Sequence, residues 1–195
     1  MAIPILLLAS TSPHRRALLD RLGLAFDCQA PGVSEEEIAG EAPGVRAARL
    51  ALAKARAVAE AHIDAIVIGS DQVASLDGAT GPTILHKPGD HETCRRQLRA
   101  MSGRTVRFDT AVAVLRGERV LQHTDVTLVR FRHLDDLAVE SYIEREPSFD
   151  CAGGFKCEGL GVTLFEAVET RDPTALIGLP LIAVCALLRR SGVAV

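Results

Sequence analysis

Lysine is rare in this chain, and each lysine lies where a compact cation could do chemistry. Of the 22 basic residues, 19 are arginines, which leaves Lys54, Lys87 and Lys156. Where any cation suffices this chain uses arginine, so a retained lysine indicates a need for a small ammonium on a flexible stem. Chance can explain any one of them, but three in unusual settings favour a role in binding an anion.

The local settings of the lysines differ from those of the arginines. Lys54 shares an apolar helical stripe with Leu50 and Val58, where a lysine must extend to solvent or meet an anion. Lys87 precedes a proline. Lys156 lies in the glycine-rich run CAGGFKCEGLG, whose glycines allow the backbone to approach a ligand closely, although a tight turn needs glycine too.

A second candidate anion site lies where the first predicted strand leads into the first predicted helix. The segment ASTSPHRRALL places Ser10, Ser12, Arg15 and Arg16 at this junction. The free N–H groups at a helix start favour anions, and two arginines in the first turn add charge and forked donors. This pattern predicts a phosphate site, although a capped helix with solvated arginines has the same sequence.

Two carboxylates could act as a base or bind a metal ion. Asp71 follows the apolar run AIVIGS and is expected just past the end of a buried strand, where a carboxylate is rigid and partly desolvated. Glu35 lies in an acidic loop over 34–37. Because Mg²⁺ prefers one or two carboxylates with water and substrate phosphates, this pair suits Mg²⁺ or Mn²⁺. A turn-capping aspartate and a solvated acidic loop are the alternatives.

An alternation of strands and helices must position these residues. Apolar runs and turn residues predict strands over 3–9, 24–29, 65–70, 105–116, 119–131 and 162–168. Capping patterns predict helices from Ser12-Pro13 to Gly23, and over 43–62, 91–101, 135–145 and 180–190, with a short one from Asp172. Residues 76–90 are predicted as a loop, and the first helix is expected to turn Ala17, Leu18 and Leu22 inward. The mixed order predicts an α/β fold whose sheet is not all parallel.

Composition narrows the class of protein. A length of 195 residues suits one large domain or two small lobes, and a net charge of −3 argues against binding a nucleic-acid polymer. Five cysteines without a CxxC pair indicate reduced thiols in the cytoplasm. The opening MAIPILLLAS lacks a basic leader and is predicted as a strand, and no apolar run is long enough to span a membrane.

Seven segments together resemble the Maf family of nucleotide pyrophosphatases. They follow one another over nearly the whole chain: LLLASTSPHRRALL at 6–19, Glu35, Lys54, IGSDQV at 68–73, Lys87-Pro88, FKCEGLG at 155–161 and DPTALIGLPL at 172–181. The resemblance implies hydrolysis of a nucleoside triphosphate to monophosphate and pyrophosphate with a divalent metal. It also implies a single domain over 1–195, two-lobed, with a mixed sheet flanked by helices and a cleft between the lobes. A homodimer is compatible with it.

The resemblance also assigns roles to residues. It implies that the triphosphate is bound by Ser10, Arg15, Lys54, Lys87 and Lys156. Glu35 and Asp71 are expected to hold the metal, with Asp71 also accepting a proton from the attacking water.

The residues expected to contact the base indicate one branch of that family. Gln72 stands where the dTTP- and UTP-hydrolysing branch carries threonine, and with Glu158 it resembles the branch acting on 7-methyl-GTP. That branch can place a tryptophan where this chain has His14, and a histidine stacks more weakly on a cationic base. Removal of 7-methyl-GTP before its incorporation is therefore the predicted function. A dTTP or UTP pyrophosphatase and a nucleotide-binding regulator of septation remain open.

Overall fold

The computed structural model describes residues 5–79 and 81–195. Its strands are β1 Leu6–Leu8, β2 Asp27–Cys28, β3 Ile66–Gly78, β4 Gly81–Leu85, β5 Thr105–Arg116, β6 Arg119–Phe131 and β7 Phe165–Glu169. Its helices are α1 Pro13–Asp20, α2 Pro43–Ala59, α3 His91–Met101, α4 Asp136–Arg145 and α5 Leu181–Arg190. The first two residues of the strand predicted over 3–9 lie outside the described ranges. No helix within those ranges is long and apolar enough to cross a membrane.

The described strands form one mixed sheet of seven strands. Its order is β2-β1-β3-β5-β6-β7, with β4 paired to β3. Strand β1 runs parallel to β2 and β3, whereas β3 with β4 and β6 with β7 are antiparallel. This arrangement confirms the predicted α/β class and the mixed sheet.

The chain divides into two compact units, each with its own core. The first unit comprises the described residues of Met1–Gln72, Thr110–Asp125 and Asp172–Val195, and the second comprises Val73–Asp109 and Val126–Arg171. Aliphatic side chains from β1, β3, α1 and α5 fill the first core, with Leu8, Leu19, Ile68 and Val184 among them. In the second core, the rings of Phe108, Phe131, Phe155 and Phe165 meet edge to face, with centroids 5.1 to 5.6 Å apart. The prediction of a single domain over 1–195 stays a prediction.

Helix α1 begins where its capping residues predict, and its buried face differs from the predicted one at Ala17. The Ser12 hydroxyl accepts a hydrogen bond from the Arg15 backbone N–H at 3.4 Å, and Pro13 is the first helical residue. Leu18 and Leu19 are buried, whereas Ala17 is exposed. The prediction for Ala17 was therefore wrong: the helix ends at Asp20, and so short a helix packs on the sheet through one adjacent leucine pair.

Strand β3 is longer than its apolar run predicts. Asp71 lies inside this strand and not past its end, because β3 continues to Gly78 and pairs there with β4. Pairing with β4 provides hydrogen-bond partners for the β3 backbone beyond the apolar run, where several side chains are polar. The prediction that 76–90 is a loop was wrong for the same reason, since it contains β4.

Two predictions toward the C-terminus were also wrong, the start of one strand and a short helix. The strand expected at 162 begins only at Phe165, because Leu160–Leu164 forms a 3₁₀ turn. The short helix expected at Asp172 is a turn. Its carboxylate accepts hydrogen bonds from the backbone N–H groups of Thr174 at 2.9 Å and Ile182 at 2.7 Å. These local bonds compete with helix formation and cap the start of α5 instead.

Gly69 allows α2 to lie directly against β3. A Cβ added at this position would overlap the carbonyl oxygen of Ala51 and come within 2.7 Å of the Ala55 nitrogen. Both are backbone atoms of α2, so they cannot move without the helix moving. The glycine thus sets the approach of the helix that carries Lys54.

We expect Gly69→Ala to destabilise the fold and to reduce activity. Overpacking of this kind costs about 1–3 kcal/mol, and the displaced helix would carry Lys54 away from β3. Thermal unfolding followed by circular dichroism measures the first effect. Gly69→Val should lower the unfolding midpoint further, and an unchanged midpoint in both variants would contradict the close approach.

Candidate active site

Lys54 joins the two predicted metal-binding carboxylates. Its Nζ lies 2.6 Å from Asp71 Oδ1 and 2.6 Å from Glu35 Oε1. Lys54 and Asp71 are buried, at 7% and 6% exposure, whereas Glu35 is more than half exposed. Lys54 shares its buried stripe with Leu50 and Val58, as predicted. The lysine on this apolar face therefore meets anions and does not extend to solvent.

Burial makes Asp71 a stronger base than an ordinary aspartate. Desolvation raises the pKa of its carboxyl group above the usual value of 3.8. The positive charges of Lys54 and then Arg15 oppose this rise, and the negative charge of Glu35 adds to it. A carboxylate held in a strand with a raised pKa is suited to accept a proton from water.

Two arginines of α2 hold the acidic loop that carries Glu35. Arg46 Nη2 donates to the Glu35 carbonyl oxygen at 3.0 Å, and Arg49 Nη2 donates to the Glu36 carbonyl oxygen at 3.2 Å. Arg49 also binds the Glu41 carboxylate through two hydrogen bonds of 2.6 Å. Neither arginine was among the predicted site residues. The spacing of Arg46 four residues before Leu50 and eight before Lys54 was a signal that could have found one of them.

The junction of β1 and α1 places a second cation near Asp71. Ser10 is buried, and its Oγ accepts from the Ser12 backbone N–H at 3.1 Å. Arg15 is half-buried, and its Nε donates to the Gly178 carbonyl oxygen at 2.9 Å. Burial lowers the pKa of Arg15, and the charges of Asp71 and Glu35 oppose that change. The guanidinium remains a cation at neutral pH and can meet a phosphate through its Nη groups.

Side chains on either side of Asp71 hold the turn over 173–178. Ser70 Oγ lies within hydrogen-bond distance of two carbonyl oxygens, that of Gly178 at 3.0 Å and that of Ala111 at 2.8 Å. Gln72 Nε2 lies 3.0 Å from the carbonyl oxygens of Ala175 and Leu176. The segment DPTALIGLPL, which contains none of the predicted site residues, is thus fixed by β3 next to the predicted base.

These bonds limit how Gln72 can contact a ligand. Its Nε2 also donates to Thr110 Oγ1 at 3.0 Å, so both amide hydrogens are used within the protein. A contact with a base must therefore use Oε1. The role of Gln72 in base recognition stays a prediction.

The other predicted site residues lie on both units, as described below, and their roles stay predictions. His14 is half-buried on α1 in the first unit. Within the second unit, Lys87 is exposed just after β4, and the Nζ of half-buried Lys156 lies 4.0 Å from Asp150 Oδ1. Glu158 is exposed, and its Oε2 accepts from Cys157 Sγ at 3.3 Å. All five cysteines are free thiols.

Comparison with known proteins identifies the family. The Maf family model, described as Maf-like protein, matches residues 5–191. A 7-methyl-GTP pyrophosphatase of Xanthomonas axonopodis pv. citri (strain 306) is 55% identical over 97% of this chain and 98% of its own length. One of Bordetella avium (strain 197N) is 50% identical over 97% and 94%. The solved Staphylococcus aureus Ham1 protein is more remote, with 14% identity and a TM-score of 0.45 over 65% of this chain and 71% of that one. The chain therefore belongs to the Maf family.

Proposed function

We propose that this protein hydrolyses 7-methyl-GTP to 7-methyl-GMP and pyrophosphate. Relatives named for that activity match it over nearly the whole chain, which supports the proposal. The structural observation that carries it is the buried pair of Lys54 and Asp71, extended by Glu35. The hydrolysis removes a modified nucleotide before a polymerase can incorporate it. The predicted cytoplasmic location and homodimer stay predictions.

Asp71 acts as the general base in this proposal. Its carboxylate accepts a proton from water while the water oxygen forms a bond to a phosphorus atom of the triphosphate. The bridging P–O bond then breaks, and its electron pair leaves with one of the two products. A raised pKa favours this transfer, because a more basic carboxylate holds the proton better.

Lys54 and Arg15 supply positive charge for the phosphoryl oxygens. Charge develops on these oxygens in the transition state, and fixed cations in a desolvated site stabilise it more than water does. Lys54 offers a compact ammonium held by two carboxylates, whereas Arg15 is fixed through Gly178. Lys87 and Lys156 belong to the second unit, and their contact with the same triphosphate stays a prediction.

The first unit also offers donors that suit a divalent cation. Glu35 and Asp71 both contact the same ammonium, so two carboxylates lie close together, and carboxylate oxygens are the ligands that Mg²⁺ prefers. We propose that these two residues hold Mg²⁺ or Mn²⁺. When bound, the ion would neutralise phosphate charge. Arg46 keeps the loop of Glu35 in place for this role.

The raised pKa of Asp71 leads to a specific pH dependence. Only the carboxylate form accepts a proton, so kcat/KM should fall with decreasing pH through a pKa above the usual 3.8. The substrate phosphates titrate as well. The wild-type kcat/KM for 7-methyl-GTP should therefore be divided at each pH by that of the Asp71→Asn variant, which cancels the contribution of the substrate. A ratio that stays level down to the usual aspartate range would contradict the assignment.

Base preference tests the choice of substrate. A glutamate can accept from the N1–H and exocyclic amine of guanine, and methylation at N7 adds a positive charge that attracts a carboxylate. We expect kcat/KM to be highest for 7-methyl-GTP, lower for GTP and lowest for dTTP and UTP.

The variant Glu158→Gln should lower the preference for 7-methyl-GTP over GTP, because it removes the attraction of a carboxylate for the cationic ring that only 7-methyl-GTP carries. Glu169→Gln, an exposed glutamate on β7, is the matched control and should leave the ratio unchanged. A higher kcat/KM for dTTP or UTP than for 7-methyl-GTP would overturn the proposed substrate and leave a pyrophosphatase of another specificity.

A further inference from the structure

The second unit contains a buried hydroxyl network beneath the glycine-rich loop. Tyr142, the single tyrosine of the chain, is 4% exposed on α4. Its hydroxyl oxygen accepts a hydrogen bond from the Lys156 backbone N–H at 3.1 Å. The same hydroxyl lies 3.2 Å from Ser148 Oγ and 3.4 Å from Glu146 Oε2. The tyrosine thus links the end of α4 to the loop that carries Lys156 and Glu158.

The backbone of Lys156 is the centre of that loop. Its carbonyl oxygen accepts from the N–H groups of Gly159 at 3.2 Å and Gly161 at 3.0 Å. A Cβ on Gly159 would overlap the Glu146 carboxylate, and one on Gly161 would overlap the Lys156 carbonyl oxygen. The loop over 156–161 is therefore closed on itself and packed onto the network, to which it is hydrogen-bonded through the Lys156 N–H.

The chemistry of Tyr142 suits a permanent tie. Burial raises the pKa of its hydroxyl to about 12, although its bonds with Ser148 and Lys156 oppose the rise. The group stays protonated at neutral pH, so it can accept from Lys156 and donate to Glu146 or Ser148 at once. Phenylalanine would keep the ring and leave the Lys156 N–H without this acceptor.

We propose that Tyr142 is a positioning residue that fixes the loop over 156–161, and with it the side chains of Lys156 and Glu158, for contact with the nucleotide. This inference rests on the proposed function for its effect on catalysis. It does not assign chemistry to Tyr142 itself. The buried base, Asp71, belongs to the first unit, so loss of the tie should alter substrate binding and base preference more than turnover.

Hydrogen exchange tests the tie without any substrate. In Tyr142→Phe, the backbone amides over 156–161 should exchange roughly tenfold faster, because the Lys156 N–H loses the part-buried hydrogen bond to the tyrosine hydroxyl. Thr127→Val is the matched control: it removes a buried hydroxyl of the same unit, which lies 2.9 Å from Thr170 Oγ1. In Thr127→Val, the amides over 156–161 should exchange at the wild-type rate. Equal protection of the loop in wild type and Tyr142→Phe would overturn the inference.

Kinetics test the consequence for the nucleotide. Tyr142→Phe should raise KM for 7-methyl-GTP and lower its preference over GTP by roughly tenfold, with kcat within about threefold of wild type. Thr127→Val should change none of these values. A faster-exchanging loop with unchanged KM and preference would also overturn the inference. Failure of the wild-type protein to hydrolyse any nucleotide would overturn the proposed function instead, and the exchange rates would still decide whether Tyr142 holds the loop.

Discussion

Replacing Asp71 by asparagine should reduce kcat for 7-methyl-GTP by ~10²–10⁴-fold, the range for loss of a general base. Asparagine keeps the shape of the side chain but cannot accept the proton of the attacking water. The effect should fall mainly on kcat, because Lys54 and Arg15 remain to bind phosphate. Steady-state kinetics at saturating nucleotide and metal ion measure it, and a kcat within a few-fold of wild type would exclude Asp71 as the base.

The stability of the same variant separates lost chemistry from lost folding. Burial raises the pKa of the Asp71 carboxyl group in the folded state. Such a group stabilises the fold at a pH below its unfolded pKa, and this stabilisation disappears as the pH rises through the folded pKa. At neutral pH the ionised Asp71 therefore works against folding. Asparagine resembles the protonated form, so the variant should unfold at no lower a temperature than wild type. A sharply lower unfolding midpoint would assign the loss of activity to the fold.

The second large effect is expected for Lys54→Arg. The ammonium fits between Asp71 and Glu35 with both distances at 2.6 Å, and a guanidinium is larger and planar. It must displace one of the carboxylates, and a displacement of about 1 Å in a catalytic group can cost 10²-fold in rate. We therefore expect kcat/KM to fall by about that factor although the charge is kept.

Arg56→Lys is the matched control for this substitution. It exchanges the same two residue types on the same helix, but Arg56 is exposed. Its kcat/KM should equal that of wild type. If both exchanges were tolerated equally, the retention of lysine at position 54 would carry no information about function.

The parts of the fold that follow local rules could be predicted from the sequence. The bounds of β5 and β6 agree with prediction, because a two-residue turn at Gly117 separates two segments of strand length. Helix α3 also agrees, because Asp90 caps it: the carboxylate accepts from the Thr93 backbone N–H at 2.8 Å. Each of these elements is specified by residues within or next to it.

The candidate site could be predicted only in part, because its residues depart from the local pattern. The apolar run of β3 gives way to Ser70, Asp71 and Gln72, which predicts a strand end, yet the strand continues through them. Tertiary partners distant in the chain bind these polar groups, such as the Lys54 ammonium for Asp71. Such conflict between local pattern and structure is expected at functional sites. The anchoring by Arg46 and Tyr142 depends on contacts that no short segment encodes.

The most direct test of the central claim is to identify the products of 7-methyl-GTP hydrolysis by ³¹P NMR during a single reaction with Mg²⁺. A pyrophosphatase releases 7-methyl-GMP and pyrophosphate in equal amounts from the first time point, without 7-methyl-GDP. Asp71→Asn at the same protein concentration should give neither product over the same period. Accumulation of 7-methyl-GDP with orthophosphate, or an intact triphosphate in the wild-type reaction, would contradict the account.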